Sequence, residues 1–252
     1  MDQDIAAGGA VCVDPVIRLE AVDAAYEGEP VATLRGIELS VAAGERVAVI
    51  GPNGAGKTTL LEVVNGLLPA TAGTAWVFGR RVDREGNWLR ARIGYMAQEL
   101  FFEPSTPFLV GDVVAAAQYG QIGWLRRPGR EEKARVRAAL EAVGILDLAR
   151  RPIGRLSGGQ QRKALLARAV AQDAHLLLLD EPTANLDPEA KLDVARIVRE
   201  IEARLDATAL VVTHEGGPLL QDADRFVRLE AGRITHDESI AGASSMLAMM
   251  GV

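Results

Sequence analysis

Residues 51–59 combine a glycine-rich turn with a lysine and two threonines, and they directly follow the apolar run 46–50. The segment reads Gly51, Pro52, Asn53, Gly54, Ala55, Gly56, Lys57, Thr58 and Thr59. Such a turn needs glycine because its successive N–H groups must point at phosphate oxygens, which demands positive φ and leaves no room for a Cβ. Lys57 would place a charge on the β and γ phosphates, and the Thr58 hydroxyl could ligate the Mg²⁺ that bridges them. The pattern predicts a nucleotide-phosphate site, and by itself it would also suit kinases and GTPases.

Four further elements follow in order along the chain. They are Leu156-Ser157-Gly158-Gly159-Gln160 before a helical run, an apolar strand that ends in Asp180-Glu181-Pro182, the segment 184–187, and Thr213-His214 after another apolar strand. With these elements, residues 16–235 resemble the ATP-binding subunits of ABC transporters. The Leu-Ser-Gly-Gly-Gln element sets that family apart from other phosphate-loop enzymes. The resemblance implies an ATPase of α/β class, with a P-loop NTPase (RecA-like) core, an antiparallel β subdomain and an inserted helical subdomain.

The order of apolar and helical patterns predicts where these parts lie. Strands are expected at 17–19, 37–41, 47–50, 76–78, 93–96, 176–179 and 209–212, and helices at 57–67, from near 112, and at 130–143. The last two strands are uniformly apolar, which is typical of parallel strands buried on both faces. The ATP-binding domain is therefore expected over 16–235 with a helical insert at about 101–168. Residues 1–15 form a leader and 236–252 a tail outside this plan.

Two acids and a histidine follow the apolar strands. Asp180 ends its strand at the carboxyl edge of the sheet, where ligands bind, so it can hold Mg²⁺ through water. In the family, the position of Glu181 polarises the attacking water, and the position of His214 contacts the γ-phosphate. The resemblance therefore implies that Glu181, His214 and Lys57 are the catalytic residues. The alternatives are an acid that caps the next helix and a histidine that only packs.

The segment 157–160 precedes a helix, so Ser157 can cap it and the bare N–H groups of Gly158 and Gly159 can receive an anion. The chain's own phosphate turn already holds its own nucleotide. In the family, this segment, including Gln160, completes the site of the opposing subunit, which implies a dimer with two ATP molecules at its interface. Asp187, followed by Pro188, fits the loop that crosses that interface, and it can cap its helix at the same time.

Two further residues are assigned to the nucleotide by resemblance. Tyr26 matches the aromatic residue that stacks on adenine, although tyrosine is also common in strands. Gln98 matches the glutamine that touches Mg²⁺ and links the core to the insert, and its amide can both accept and donate hydrogen bonds. Ala97 stands where many relatives have proline, so we expect a less stiff loop here.

Composition excludes several classes of protein. The chain has 252 residues, 48% of them hydrophobic, and a formal net charge of −6, which argues against nucleic acid as a partner. No apolar run approaches the ~18 residues of a membrane span. The acidic start, Met1-Asp2-Gln3-Asp4, lacks the basic residues of a secretory signal. We therefore expect a cytoplasmic protein that is peripheral on the inner face of the membrane and held there by permease subunits.

The insert carries the information on the transported solute. Its segments Phe101-Phe102-Glu103-Pro104, Asp112-Val113-Val114 and Gly120-Gln121-Ile122-Gly123-Trp124 resemble those of the ATPases of zinc, manganese and iron importers. The resemblance implies an ATPase that powers import of a divalent transition metal, with a substrate-binding protein as an indirect partner. An ABC ATPase for another solute or for export is the alternative, followed by a soluble ABC ATPase that does not serve transport.

Overall fold

The computed structural model describes residues 14–29, 31–98, 102–123, 126, 128–213 and 217–239. In chain order its elements are β1 (Ile17–Ala24), β2 (Leu34–Val41), β3 (Arg46–Ile50), α1 (Lys57–Val64), β4 (Ala72–Val77), β5 (Arg80–Arg81), α2 (Val82–Arg90), β6 (Ile93–Met96), α3 (Val110–Ala116), α4 (Tyr119–Ile122), α5 (Arg130–Ala142), α6 (Gly158–Ala171), β7 (Leu176–Asp180), α7 (Pro188–Leu205), β8 (Thr208–Val212), α8 (Pro218–Gln221), β9 (Arg225–Glu230) and β10 (Arg233–Ser239). Short 3₁₀ turns cover Leu146–Leu148 and Ile153–Arg155.

The larger sheet has the strand order β10-β9-β3-β8-β7-β6. All of its pairs are parallel except β9 with β10. Every residue of β3, β7 and β8 is buried, as their continuous apolar runs predicted. Alternate side chains of β7 pack into hydrophobic cores on opposite faces of the sheet. Leu176 and Leu178 pack with α1, while Leu177 and Leu179 pack with α6 and α7. Helices therefore cover both faces, and the carboxyl ends of the parallel strands meet at one edge.

The smaller sheet is antiparallel, with the order β2-β1-β4-β5. Its strands alternate between buried apolar and exposed polar residues, so one face packs on the core around α1. Thr33 precedes β2 and donates its N–H to the carbonyl of Ala24 at 2.8 Å, which fixes the turn that leads into β2. The antiparallel subdomain expected from the sequence is confirmed.

Helices α3, α4 and α5 form the insert. Helix α6 begins in the insert, where it packs on α3 and α5, and continues against β6 and α7 of the core. Gln118, which is fully buried, donates to the carbonyls of Glu132 and Ala171, and so fastens the insert to α6. The chain thus returns to the core within α6 itself, and the expected boundary at 168 falls in the last turn of this helix.

Most predicted elements are present, with shifted ends. The first helix stops at Val64, before the predicted end at 67, because Gly66 adopts a left-handed conformation with φ of 68°. The strand β10 runs to Ser239, so four residues assigned to the tail belong to the larger sheet. Helix α2 was not predicted. No helix in the described part of the chain is long and apolar enough to cross a membrane.

Candidate nucleotide site

The glycine-rich turn between β3 and α1 has the backbone that the sequence predicted. Gly51, Gly54 and Gly56 have φ of 156°, 77° and 102°. A Cβ at Gly51 would collide with the carbonyl oxygen of Leu229, and one at Gly56 would lie 2.8 Å from a methyl group of Leu34. The turn is therefore restricted to glycine both by conformation and by space. It leads directly into α1, whose first N–H groups face the same opening.

Lys57 is the first residue of α1 and is only 6% exposed. Its Nζ donates to the carbonyl oxygens of Gly51 and Pro52 at 2.8 and 3.0 Å. Burial lowers the pKa of this ammonium, and the charges of Glu181 and Asp180 oppose that effect. The two carbonyls hold the charge over the turn, where phosphate oxygens would enter.

Asp180 lies at the carboxyl end of β7 and is fully buried. Its Oδ2 accepts a hydrogen bond from Thr58 Oγ1 at 2.7 Å, while its Oδ1 has no partner in the described part of the chain. Burial is the largest cause that raises the pKa of this carboxyl; the hydrogen bond from Thr58 opposes it, and the charge of Glu181 adds to it. A buried carboxylate oxygen beside a hydroxyl is a ligand pair suited to Mg²⁺.

Glu181 follows in a left-handed conformation, with φ of 47°, and is 5% exposed. Its N–H donates to the carbonyl of Val212, and its Oε2 accepts from Gln98 Nε2 at 3.1 Å. A positive φ is costly for a residue with a Cβ, and such strain is concentrated at functional sites. The sharp turn places the two consecutive acids on different partners, Thr58 for Asp180 and Gln98 for Glu181.

Arg162, on the second turn of α6, is a residue that the sequence analysis did not assign. It is 1% exposed, and its guanidinium donates to the carbonyl of Gln98 at 3.4 Å. Burial lowers its pKa, against the charges of Asp180 and Glu181. Its neighbour Gln161 pairs with both backbone polar groups of Phe102. The available signal was a charged residue on the buried face of α6, which Leu165, Leu166 and Ala169 share.

Tyr26 lies at the opening of the same site, 40% exposed. Its hydroxyl donates to Glu62 at 2.6 Å and lies 3.3 Å from the Thr59 hydroxyl. Burial, followed by the hydrogen bond to Glu62, raises the pKa of this phenol. The cavity has a volume of about 350 Å³ and is lined by Tyr26, Thr33, Asn53, Gly54, Gly56, Lys57, Thr58, Thr59, Gln98, Asp180 and Glu181. Residues predicted from four separate segments therefore meet in one place.

The predicted interface residues do not line this cavity. Ser157 caps α6: its Oγ accepts from Gln160 N–H at 3.3 Å, and the Gln160 side chain accepts from Ser157 N–H at 3.1 Å. Asp187 caps α7 with a single bond, in which its Oδ1 accepts from Ala190 N–H at 2.9 Å, and Pro188 is the first helical residue. Ser157 and Asp187 are exposed. Both predicted caps are confirmed, and both side chains face solvent in the single chain.

One predicted catalytic residue, His214, lies outside the described residues, as do residues 1–13 of the predicted leader 1–15 and residues 240–252 of the predicted tail. The strand that leads to it, β8, is described as far as Val212, and Thr213 follows. In the described part of the chain, no group of three or more His, Cys, Asp or Glu residues could hold a metal ion.

The comparisons with known proteins agree with this geometry. The model of the ABC transporter family matches residues 34–184, which include the glycine-rich turn, Ser157–Gln160 and the two acids. The chain belongs to the ABC transporter family. Like the other ATP-binding members of that family, it is an ATPase subunit that binds nucleotide.

Three curated ABC proteins show the range of its relatives. The zinc transport system ATP-binding protein TroB of Treponema pallidum (strain Nichols) is 37% identical over 90% of this chain and 82% of that protein. The manganese transport system ATP-binding protein MntB of Bacillus subtilis (strain 168) is 38% identical over 83% of this chain and 80% of that protein. The phosphonates import ATP-binding protein PhnC of Anaeromyxobacter dehalogenans (strain 2CP-C) is also 38% identical, over 90% of this chain and 46% of that protein.

Solved cassettes have the same fold. The dimeric post-hydrolysis state of the ATP-binding cassette MJ0796, bound to ADP and Pi, superposes with a TM-score of 0.78 at 24% identity. The match covers 90% of this chain and 99% of that chain. At this identity the likeness establishes the ABC fold, which agrees with the two sheets and the helical insert described above.

Proposed function

We propose that this ABC ATPase powers the import of a divalent transition metal ion, namely zinc, manganese or iron. The observation that carries the proposal is the similarity to TroB and MntB, which extends over more than four fifths of this chain and of each relative. The similarity includes the insert, and in this class of subunit the insert is the surface that receives the permease. Similarity in the insert therefore indicates the kind of permease that the subunit binds, and hence the kind of solute that it serves.

The second candidate is the import of another solute. It is favoured by the PhnC relative, which is equally similar in identity, but this chain covers less than half of that protein. Metal import is preferred because the zinc and manganese relatives combine 37% and 38% identity with coverage of at least 80% of their own length. A phosphonate import relative that is covered to a similar extent, 83%, is 34% identical. The described residues hold no metal-ligand cluster of their own, so the ion would pass through partner proteins.

Mg²⁺ is the ion expected with ATP, and the residues at the site fit it. The unpartnered Oδ1 of Asp180 and the Thr58 hydroxyl supply oxygen ligands, and Gln98 supplies an amide oxygen at the same cavity. So few protein ligands are normal for Mg²⁺, which keeps waters and takes further oxygens from phosphates. When bound, the ion would neutralise charge on the β and γ phosphates.

Hydrolysis is assigned to Glu181, which would accept a proton from the attacking water. The carboxylate is held by the Gln98 amide and by the left-handed turn at its own backbone. Lys57 would leave the carbonyls of Gly51 and Pro52 and donate to phosphate oxygens instead. His214 is assigned to the γ-phosphate, where it would fix the position of the water. Tyr26 would stack on the adenine, since its ring is partly exposed at the opening.

A second copy of the chain would complete each site. The cap residues Ser157 and Asp187 are exposed and lie outside the chain's own cavity, and the N–H groups of Gly158 and Gly159 begin α6 without a ligand from the chain. A helix N-terminus with bare glycines is suited to an anion, and here that anion would be the phosphate of the partner's ATP. The functional unit is thus proposed to be a homodimer with two ATP molecules at its interface.

The dimer would act on the cytoplasmic face of the membrane, bound to permease subunits that a substrate-binding protein supplies with the ion. Nucleic acid is not expected as a partner, because the chain carries a net charge of −6.

Growth of a deletion strain tests the proposed solute. In chelator-treated medium the strain should grow poorly, and one of zinc, manganese or iron, added back singly at low concentration, should restore growth. Labelled uptake of the same ion should fall in the mutant and return with the wild-type gene. The Glu181→Gln gene is the matched control and should not restore uptake. Unchanged growth and uptake for all three ions, in a strain without redundant importers, would favour the second candidate.

A further inference from the structure

A second cavity, of about 230 Å³, lies at the outer edge of β6. It is bounded by the end of α1, the end of α2 and the middle of α6, and it shares no lining residue with the nucleotide cavity. Its polar lining includes Asn65, Arg90, Tyr95 and Arg168, and it contains no aspartate or glutamate. The cavity therefore carries two positive charges and no acid.

Arg168 is the group that most needs an explanation. Its Nε is buried without a hydrogen-bond partner in the described part of the chain, and its guanidinium forms no ion pair there. Burial is the one cause that lowers its pKa, and no neighbouring carboxylate opposes that effect. A desolvated cation without a counterion is costly in a folded protein, so such groups are normally paired.

The guanidinium of Arg90 makes hydrogen bonds with only some of its N–H donors. It donates to the carbonyl of Gly66 at 3.0 Å and to the Asn87 side chain at 2.6 Å. The first bond suits a cation at the end of a helix, because the last carbonyls of α1 favour positive charge. A guanidinium has five N–H donors, so about three remain for the cavity. The interaction with the end of α1 therefore accounts for part of the positive charge at the cavity, that of Arg90, but not for the charge of Arg168.

Two neutral groups add further hydrogen-bonding capacity. Asn65 is 4% exposed, and its side-chain amide makes no hydrogen bond within the described residues. Tyr95 also lines the cavity, and burial, followed by the charges of Asp180 and Glu62, raises the pKa of its phenol, so the phenol remains neutral. Neither polar atom of the Asn65 amide is a fully buried atom without a partner, so the amide retains access to a ligand at the cavity that Asn65 lines.

We propose that this cavity is a binding site for a tetrahedral oxyanion of the phosphate class. The guanidinium groups of Arg168 and Arg90 would form charge-assisted hydrogen bonds to its oxygens, and Asn65 and Tyr95 would donate from other directions. The volume is several times the ~30 Å³ share of one water molecule, so it accommodates such an ion with bridging waters. Donors that come from three helices and a strand match a ligand with several acceptor oxygens better than they match a planar carboxylate.

Anion binding would add a connection between elements that Gln172 already joins through hydrogen bonds to the carbonyls of Arg90 and Ile93. Arg168 lies on α6, the helix that begins at Ser157, and Tyr95 lies on β6, three residues before Gln98. Arg90 and Asn65 lie at the ends of α2 and α1. The bound ion would fix α6 against the edge of the core sheet. This site does not depend on which solute the transporter carries.

The test measures thermal unfolding of the wild-type protein against inorganic phosphate, with excess ADP to occupy the nucleotide site. A specific site gives a saturating rise in Tm, of about 5–10 °C at a hundredfold excess over Kd. Arg168→Met keeps the aliphatic stem and removes the charge, so it should abolish the saturating rise. Arg84→Met makes the same change of charge at an exposed residue of α2 that does not line the cavity, and it should retain the rise.

Three outcomes would overturn the proposal. A rise that never saturates and is equal in all variants is the general stabilisation by excluded salts. Saturation by acetate and not by phosphate would mean a carboxylate site. If Arg168→Met does not fold, wild-type crystals soaked in selenate with ADP decide the question: an anomalous peak within hydrogen-bonding distance of Arg168 supports the site, and peaks confined to the nucleotide site overturn it.

Discussion

At the scale of single residues, the consecutive acids at the end of β7 perform different tasks because the backbone turns between them. Asp180 continues the strand and is buried against Thr58, whereas Glu181 adopts positive φ and turns towards Gln98. One carboxylate is thereby available to Mg²⁺ and the other to water. Substitution of Asp180 and substitution of Glu181 should therefore impair different steps of ATP hydrolysis.

Glu181→Gln should retain ATP binding and lose turnover. The amide has nearly the shape of the carboxylate, but it cannot accept a proton, and loss of a general base typically costs about 10²–10⁴-fold in rate. The variant should accumulate as an ATP-bound dimer. Phosphate release and size-exclusion chromatography with and without ATP measure both effects, with Glu141→Gln on the exposed face of α5 as the control. A monomer with near-wild-type turnover would contradict the assignment.

Asp180→Asn should stabilise the nucleotide-free protein while it abolishes Mg²⁺-dependent hydrolysis. Burial raises the pKa of Asp180, so the folded state holds this proton more tightly than the unfolded state does. The stability that the proton supplies is present below the ordinary pKa of an aspartate and is lost as the pH rises through the folded value. The gain in Tm from Asp180→Asn should therefore be larger at neutral pH than in acid.

Thermal unfolding across this pH range measures the effect, and each kcal/mol corresponds to about 2–4 °C in a chain of this size. Asp147→Asn removes the same charge from an exposed 3₁₀ turn of the insert and serves as the control. Equal shifts of Tm in the two variants at every pH would show that general charge repulsion, and not the burial of Asp180, is responsible.

Some residues of the site could be predicted from the sequence, and others could not. The glycine-rich turn is local, since its φ values follow from glycines at fixed spacing, and it could be predicted in full. The caps at Ser157 and Asp187 are also local. In contrast, Arg162 contacts the carbonyl of Gln98 across 64 positions. No short-range pattern encodes such a contact, so a charge on a buried helix face was the only sign of it.

At the scale of elements, α6 connects the proposed dimer interface to the nucleotide site of the same chain. Its first residue follows Ser157, and its second turn carries Gln161 and Arg162, which hold the backbone of Phe102 and Gln98. A movement of Ser157 towards a partner's ATP would therefore be transmitted through Gln161 to Phe102 and through Arg162 to Gln98. The caps must act on the partner's nucleotide for this connection to operate.

Ser157→Arg tests that arrangement. The larger side chain should block dimer closure while single-subunit ATP binding remains, because Ser157 does not line the chain's own cavity. In a mixed dimer with Lys57→Ala, one composite site carries both lesions and the other carries none. If the sites act independently, an equal mixture should recover about a quarter of wild-type activity, from the symmetry of a two-fold interface. ATP hydrolysis by mixed and unmixed samples measures the recovery.

The control for this experiment is the formation of mixed dimers, which differently tagged subunits report by co-purification. If mixed dimers form and activity equals the sum of the two separate variants, then Ser157 does not act on the partner's nucleotide.

Elements were predictable where burial is uniform or where a residue stops a helix. The strands β6, β7 and β8 were predicted within one residue because most of their positions are apolar and buried. Helix α2 was missed because its sequence is rich in charge and contains Gly86, and only Val82 and Leu89 are buried. Tertiary contacts stabilise it, including the stacking of Arg80 and Arg92 on Trp88. The extension of β10 depends on pairing with β9, which composition does not show.

At the scale of the whole molecule, Gln98 stands at the junction of core and insert. Its side chain contacts Glu181, its carbonyl accepts from Arg162, and Phe102 beyond it is held by Gln161. The insert in turn is fastened to the core by two glutamines: Gln118 donates to the carbonyl of Ala171, and Gln121 donates to the carbonyl of Ala91. A rigid insert with one exposed amide at its hinge is suited to report the state of the γ-phosphate to a permease.

Gln98→Ala should therefore uncouple transport from hydrolysis more than it weakens ATP binding. The hydrogen bond to the Glu181 carboxylate is worth about 1.5–3 kcal/mol, so ATP affinity should fall by no more than about a hundredfold. Transport should fall further, because closure of the site would no longer move the insert with the core. The measurement is the ratio of ion transported to ATP hydrolysed, for the ATPase reconstituted with its permease in proteoliposomes.

Gln221→Ala, at an exposed glutamine of α8, is the matched control and should leave that ratio unchanged. Equal losses of transport and hydrolysis in Gln98→Ala would restrict this residue to the chemistry and remove it from the coupling path.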